Sequence, residues 1–142
     1  MHTNLRNRSF GRTATADRSG AVTVEMAFVL PVLLLLVVGI IESCNLIYLK
    51  QSLTISAYEG ARAGIAYGGT TADISLRANQ VIADRGVASS SITVTPVNPL
   101  TAPYGTYLTV KVSAPVGSNS MFPGWFFAGL TLDGTVKMMK EY

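Results

Sequence analysis

Sixteen consecutive residues, Met26–Ile41, carry no charge, and they stand directly behind Glu25 and a stretch holding Arg6, Arg8, Arg12 and Arg18. As a helix the run is about 24 Å long, slightly short of the roughly twenty residues that a spanning helix uses. Counting Ala21–Val24 brings it to 21 residues and leaves Glu25 near one edge. Four arginines before the run and few charges just after it predict the leader inside and the remainder outside a bilayer. Pro31 falls within the run. It removes one backbone hydrogen bond and predicts a bend, which a membrane helix tolerates when neighbours satisfy the freed carbonyl.

The helical period continues beyond the run. Leu46, Leu49, Leu53, Ala57, Ala61 and Ile65 recur at three- and four-residue steps, while Lys50, Gln51, Ser52, Ser56 and Glu59 occupy much of the remaining surface. Gly68-Gly69 predicts the end. The expectation is one helix of some forty-five residues, half in lipid and half amphipathic. Thr70-Thr71-Ala72-Asp73 has the pattern of a second helix start, with Ile74, Ala78, Val81 and Ile82 on one face and Gly86 as the stop. The period then changes to two. Ser91–Thr95 and Thr106–Ser113 alternate as strands, and a last strand, Thr135–Lys140, is predicted after a turn at Asp133-Gly134. Residues 114–124 read as loop, and 1–20, without apolar periodicity, as unstructured.

Charge is uneven along the chain. The leader carries four arginines against Asp17, leaving seven Lys/Arg and seven Asp/Glu for the other 122 residues. A neutral body offers no basic patch for a phosphate backbone, which argues against nucleic-acid binding. The single cysteine, Cys44, excludes an intramolecular disulfide framework, and the single histidine, His2, lies in the leader. The usual zinc sites and Ser-His-Asp chemistry therefore lack their residues in the folded region. Glu59, Asp73, Asp84 and Asp133 are scattered over separate predicted elements, and no pair of them is set up for acid–base work. Gly68-Gly69 lacks the Lys and Ser/Thr of a phosphate loop.

Gly20 and Glu25 form the candidate functional constellation. A peptidase at the inner face can cut after a small residue held just outside lipid, between Gly20 and Ala21. Glu25 of one subunit can then neutralise the new amino terminus of its neighbour, since opposite charges attract strongly where the dielectric is low. The competing reading is a plain signal anchor, with Glu25 reaching to water. A conventional secretory cut after the run and a lipoprotein box at Ile41-Glu42-Ser43-Cys44 are both disfavoured by Glu42. Glu59-Gly60-Ala61-Arg62-Ala63-Gly64 places small residues on a helix, which predicts close approach of another element. The strand layer is the favoured partner over a subunit interface, and Glu59 with Arg62 reads as a surface i,i+3 pair. The aromatic residues Phe122, Trp125, Phe126 and Phe127 read as core or membrane-surface contact.

Taken together, Arg18–Pro31 continuing through Gly39-Ile40-Ile41-Glu42, then Tyr58-Glu59-Gly60-Ala61-Arg62-Ala63-Gly64 and the terminal Gly134–Glu141, resemble the TadE-like pseudopilins of the tight-adherence (Flp-type) pilus machinery. Thr23 and Met26 depart from that family's commonest pattern, where Ala and an aromatic residue are usual. The resemblance implies a type IV pilin relative whose leader is removed by a prepilin peptidase between Gly20 and Ala21, with Glu25 as the fifth mature residue. It implies a minor subunit acting in pilus assembly, adhesion or secretion, and not an enzyme.

The expected fold is α+β: a long amino-terminal helix packed on a small antiparallel sheet, with a second short helix. The expected organisation is a basic leader over 1–20, a transmembrane helix over 21–42 and an extracytoplasmic pilin-like domain over 43–142. Expected partners are the bacterial inner membrane, the prepilin peptidase and other pilin or pseudopilin subunits, with no cofactor, metal, nucleic acid or small-molecule substrate. The alternative is an uncleaved, single-pass membrane-anchored binding domain.

Overall fold

The computed structural model describes residues 15–122, 127 and 129–141, with side chains from residue 20 onward. Its elements are helices α1 (Thr15–Ile65) and α2 (Thr71–Asp84) and strands β1 (Ser91–Thr95), β2 (Tyr107–Pro115) and β3 (Thr131–Met139). The fold is α+β, with a long apolar amino-terminal helix, a short second helix and a three-stranded antiparallel sheet. Two compact units divide at Gly39.

The first unit holds the opening part of α1. Thr15–Gly20 are helical, where sequence alone predicted an unstructured leader. Extending an existing helix adds one hydrogen bond per residue fixed and avoids the cost of a new nucleus. Ala16 and Arg18 are good helix formers, so the apolar helix propagates back into them. Every residue from Gly20 to Val37 is exposed, Phe28 to 75 % and Val32 to 63 %. Pro31 lies inside the helix.

The second unit runs from Ile40 onward. Its part of α1 buries Leu49, Leu53, Ala57 and Ala61 against Leu108, Val110, Val112 and Ala114 of β2 and Ile74 and Ile82 of α2. Leu46 and Ile65 flank this core half-buried. Ser52 and Ser56, expected on the open side of the helix, are buried. Their hydroxyls are satisfied: Ser56 Oγ donates to the Ala78 carbonyl of α2 at 2.9 Å, and Ser52 Oγ donates to the Tyr48 carbonyl at 2.8 Å. Small side chains at these positions let α2 come close while no polar atom is left bare.

Helix α2 begins as its sequence predicts. Thr70 is the N-cap in an extended conformation, and it forms a reciprocal capping box with Asp73. Ile74, Ala78 and Ile82 are its buried face, with Val81 half-buried beside them. The helix ends at Asp84, with Arg85 as C-cap and Gly86 at φ +65°.

The sheet has strand order β1-β2-β3. Its inner face carries the rows Val94–Val110–Val136 and Ile92–Val112–Gly134, and its outer face carries Thr93–Lys111–Thr135 and Ser91–Ser113–Asp133. Lys111 and Asp133 form an exposed ion pair at 4.0 Å on that outer face. β1 has the bounds its alternation predicts. β2 continues through Ala114 and Pro115, which sequence alone had placed in a loop. Proline is tolerated at a strand end, where its missing donor breaks no ladder bond.

The largest correction concerns Asp133-Gly134, predicted as a turn before the last strand. Both lie inside β3, opposite Ser113 and Val112. Gly134 is buried where β3 passes under α1, and a β-carbon there would overlap the Leu53 carbonyl carbon and the Thr54 amide nitrogen. Glycine serves here as a close-approach residue and not as a turn former.

Asn119 ties the region after β2 to the rest of the unit. Its carbonyl accepts from Asn45 Nδ2 at 2.7 Å, its Oδ1 accepts from the Ala88 amide at 2.7 Å, and its Nδ2 donates to the carbonyls of Ala88 at 3.0 Å and Pro115 at 2.8 Å. One side chain thus joins the end of β2 to the α2–β1 connection, while its main chain holds α1.

Candidate functional site

The candidate processing and assembly residues all lie on the exposed first part of α1. Gly20 is helical and exposed, and a β-carbon placed on it would meet no atom within 4 Å. Glycine in a helix interior costs about 1 kcal/mol relative to alanine. Among the described residues no packing contact compensates that cost. Ala21 follows on the same open helix, and Glu25 stands about 7.5 Å further along it at the standard rise, also exposed. The apolar side chains from Val22 to Val37 surround this acid with bare hydrocarbon surface. Among the described residues one helix is thus long and apolar enough to cross a membrane, and its apolar window is wholly unburied. A single-pass anchor fits this segment.

The second candidate group, Glu59, Gly60, Ala61 and Arg62, lies near the end of α1 in the other unit. Gly60 and Ala61 are buried, Glu59 is half-buried and Arg62 is exposed. A β-carbon on Gly60 would stand 3.2 Å from the Ile74 carbonyl and 3.3 Å from the Ala78 side chain, so its close neighbour is α2 where the strand layer was expected. Ala61 faces the common core. Gly64, one turn on, would meet both Ile74 and Leu108 at 2.6 Å. Small residues here let helix and strand approach together. Among the described residues no ion pair joins Glu59 to Arg62.

Glu42 is a residue whose place the sequence did not reveal. It read as an obstacle to signal cleavage and as the end of the TadE-like stretch, yet its side chain is 2 % exposed. Ser120 Oγ donates to its Oε1, while its Oε2 has no hydrogen-bond partner. The contact spans 78 residues, so no local pattern announces it. Phe122 is exposed and Phe127 packs half-buried against the core, whereas Trp125 and Phe126 lie outside the described residues. Cys44 is exposed and unbridged. Among the described residues no three His, Cys, Asp or Glu side chains group as a metal site.

Asp73 is the one described group with a resolved titration shift. The Thr70 hydroxyl, and after it the Thr70 amide, donate to its carboxylate and hold it below its ordinary value of 3.8. This belongs to the helix cap and not to a reacting centre.

No curated protein and no solved structure matches the chain. A family model described as TadE-like protein matches residues 20–62, a span that opens on Gly20 and closes on Arg62. This similarity suggests a protein associated with the tight-adherence pilus, in a family that is structural and not typically enzymatic. Over that stretch, which carries both the Gly20–Glu25 constellation and the Glu59-Gly60-Ala61-Arg62 segment, the chain is similar to the TadE-like proteins.

Proposed function

We propose that the chain is a minor pseudopilin of a tight-adherence pilus or secretion system, cut between Gly20 and Ala21 by a prepilin peptidase at the bacterial inner membrane. The leader stays on the cytoplasmic side and the folded unit faces outward, in keeping with the four leader arginines. The observation that carries the reading is the emptiness around Gly20. Among the described residues nothing crowds Gly20, so this side of the helix is open to an external recogniser of a small side chain. The TadE-like match beginning at the same residue supports it.

After cutting, Ala21 presents an ammonium group on a helix already carrying Glu25. In a stack of such subunits that carboxylate meets a neighbour's amine at the edge of the apolar layer. Away from water the pair gains strongly, and an unmatched member is left costly. Glu25 thereby selects the axial register of the helices, while the α+β unit meets partner subunits and the adhesive or secretory machinery.

The test is the amino-terminal sequence of the protein recovered from membranes of cells with and without prepilin peptidase. A mature chain starting at Ala21 only when the peptidase is present supports the proposal. An intact leader in both strains overturns it and leaves an uncleaved, membrane-anchored binding domain.

A further inference from the structure

Arg85, the C-cap of α2, extends a half-buried side chain toward α1 and lines an open cavity of about 250 Å³ together with Asn45, Tyr48, Asn119 and Ser120. A guanidinium carries five donors and stays charged at any physiological pH. Here its hydrogen bond is a long one, from Nη1 to the Ser52 hydroxyl at 3.4 Å. Among the described residues no carboxylate lies within ion-pair distance of it. The cavity therefore holds a partly desolvated cation with most of its donors unused. Asn45, whose side-chain amide gives one hydrogen to the Asn119 carbonyl, has a second N–H to offer, and Leu49 forms apolar floor.

The geometry points to a docking pocket for an acidic side chain of a partner protein, with Arg85 taking the carboxylate through paired N–H donors. Planar guanidinium and planar carboxylate match as two parallel hydrogen bonds, an arrangement shorter and stronger than a neutral contact. Two features favour a side chain over a free small molecule. The volume falls below the roughly 300–1,000 Å³ usual for small-molecule sites but holds one glutamate side chain with room for water. The rim is apolar and bare: Tyr48 is 48 % exposed and Met121 69 %, with Phe122 beside it at 46 %. Aromatic and methionine surface around a charged anchor is the composition of a protein interface centre. This inference goes beyond the processing scheme and holds whether or not the leader is removed.

The test uses the full chain in detergent micelles. Side-chain NMR follows the Arg85 Nε–H and Asn45 amide signals during titration with three probes: a blocked leucyl-glutamyl-leucine peptide, its glutamine counterpart and free glutarate. The expected result is a saturable shift of both signals with the glutamyl peptide, weaker binding of glutarate and no shift with the glutamine peptide. Arg85→Gln should abolish the Asn45 shift, and Arg85→Lys should weaken it while keeping the fold. Equal binding of glutarate and peptide would overturn docking by a protein partner. Absence of any saturable shift in the wild-type chain, or equal shifts with the glutamine peptide, would overturn carboxylate recognition altogether.

Discussion

Gly134 in β3 lies directly under Leu53 in α1, so that strand and helix backbones meet with no side chain between them. Helix and sheet ordinarily stand apart by the thickness of their interdigitated side chains. At this point the row Ile92–Val112–Gly134 falls away to bare backbone, and α1 settles into the gap.

Gly134→Ala is expected to destabilise the folded unit by about 1–3 kcal/mol, the usual range for forcing volume into a packed core. Gly64→Ala should cost less, because its clashes at 2.6 Å are with the movable ends of Ile74 and Leu108 and not with main chain. Gly117→Ala, with nothing within 4 Å, is the neutral reference. Urea unfolding of the three variants, followed by circular dichroism in detergent, gives the order. A Gly134→Ala protein as stable as the Gly117→Ala protein would refute the helix–strand contact.

The Thr70–Asp73 capping box carries a pH signature. Because Asp73 is held below 3.8 in the folded chain, its contribution is present above that value. It is lost as pH falls through the lower folded value, once the proton returns to the carboxylate. Asp73→Asn should flatten this acid limb of the stability profile and leave the neutral region less affected. Thermal melts across pH 2–5 check it, and an unchanged acid limb in the variant argues against the shift.

Substitution at Gly20 separates recognition from folding. Gly20→Ala is expected to be cut, whereas Gly20→Leu or Gly20→Asp should accumulate as full-length precursor in the membrane. All three should keep the folded unit intact, since Gly20 lies outside the unit that begins at Ile40 and no atom of the described residues lies within 4 Å of the added β-carbon. Immunoblots of membrane fractions resolve precursor from product. Normal processing of Gly20→Asp would remove Gly20 from the peptidase site.

Glu25→Ala should still insert in the membrane, because it removes the only charge between Ala21 and Ile41. Pairing with a neighbour's amine should fail, and pilus output should drop while protein level holds. Glu25→Asp, one methylene shorter, should restore part of that output. Quantified surface pili for the two variants are the readout, and full output from Glu25→Ala would dismiss the pairing role.

Local signals carried much of this architecture. Thr70 with Asp73 announces α2 because a capping box is a contact three residues long. The alternation of Ser91–Thr95 announces β1 because the strand has one inner and one outer face. Asp133-Gly134 misled for the same reason: read locally, the pair is a turn signal, and only the helix lying above it explains the glycine. Ser52 and Ser56 misled in another way, since a buried hydroxyl looks polar until its carbonyl partner is known. At the candidate site, Gly20, Ala21 and Glu25 could be singled out because the roles proposed for them depend only on spacing along one helix. Arg85, Asn119 and Glu42 were not, because their partners lie 31 to 78 residues away.

The burial of Glu42 changes how the outside of α1 meets its surroundings. Counted by letters, the neutral stretch ends at Ile41; counted by what solvent touches, it runs from Met26 to Leu49, twenty-four positions up to the exposed Lys50. Glu42 is the one acid between Glu25 and Glu59, and tucked against Ser120 it adds no charge to the outer surface of the rod.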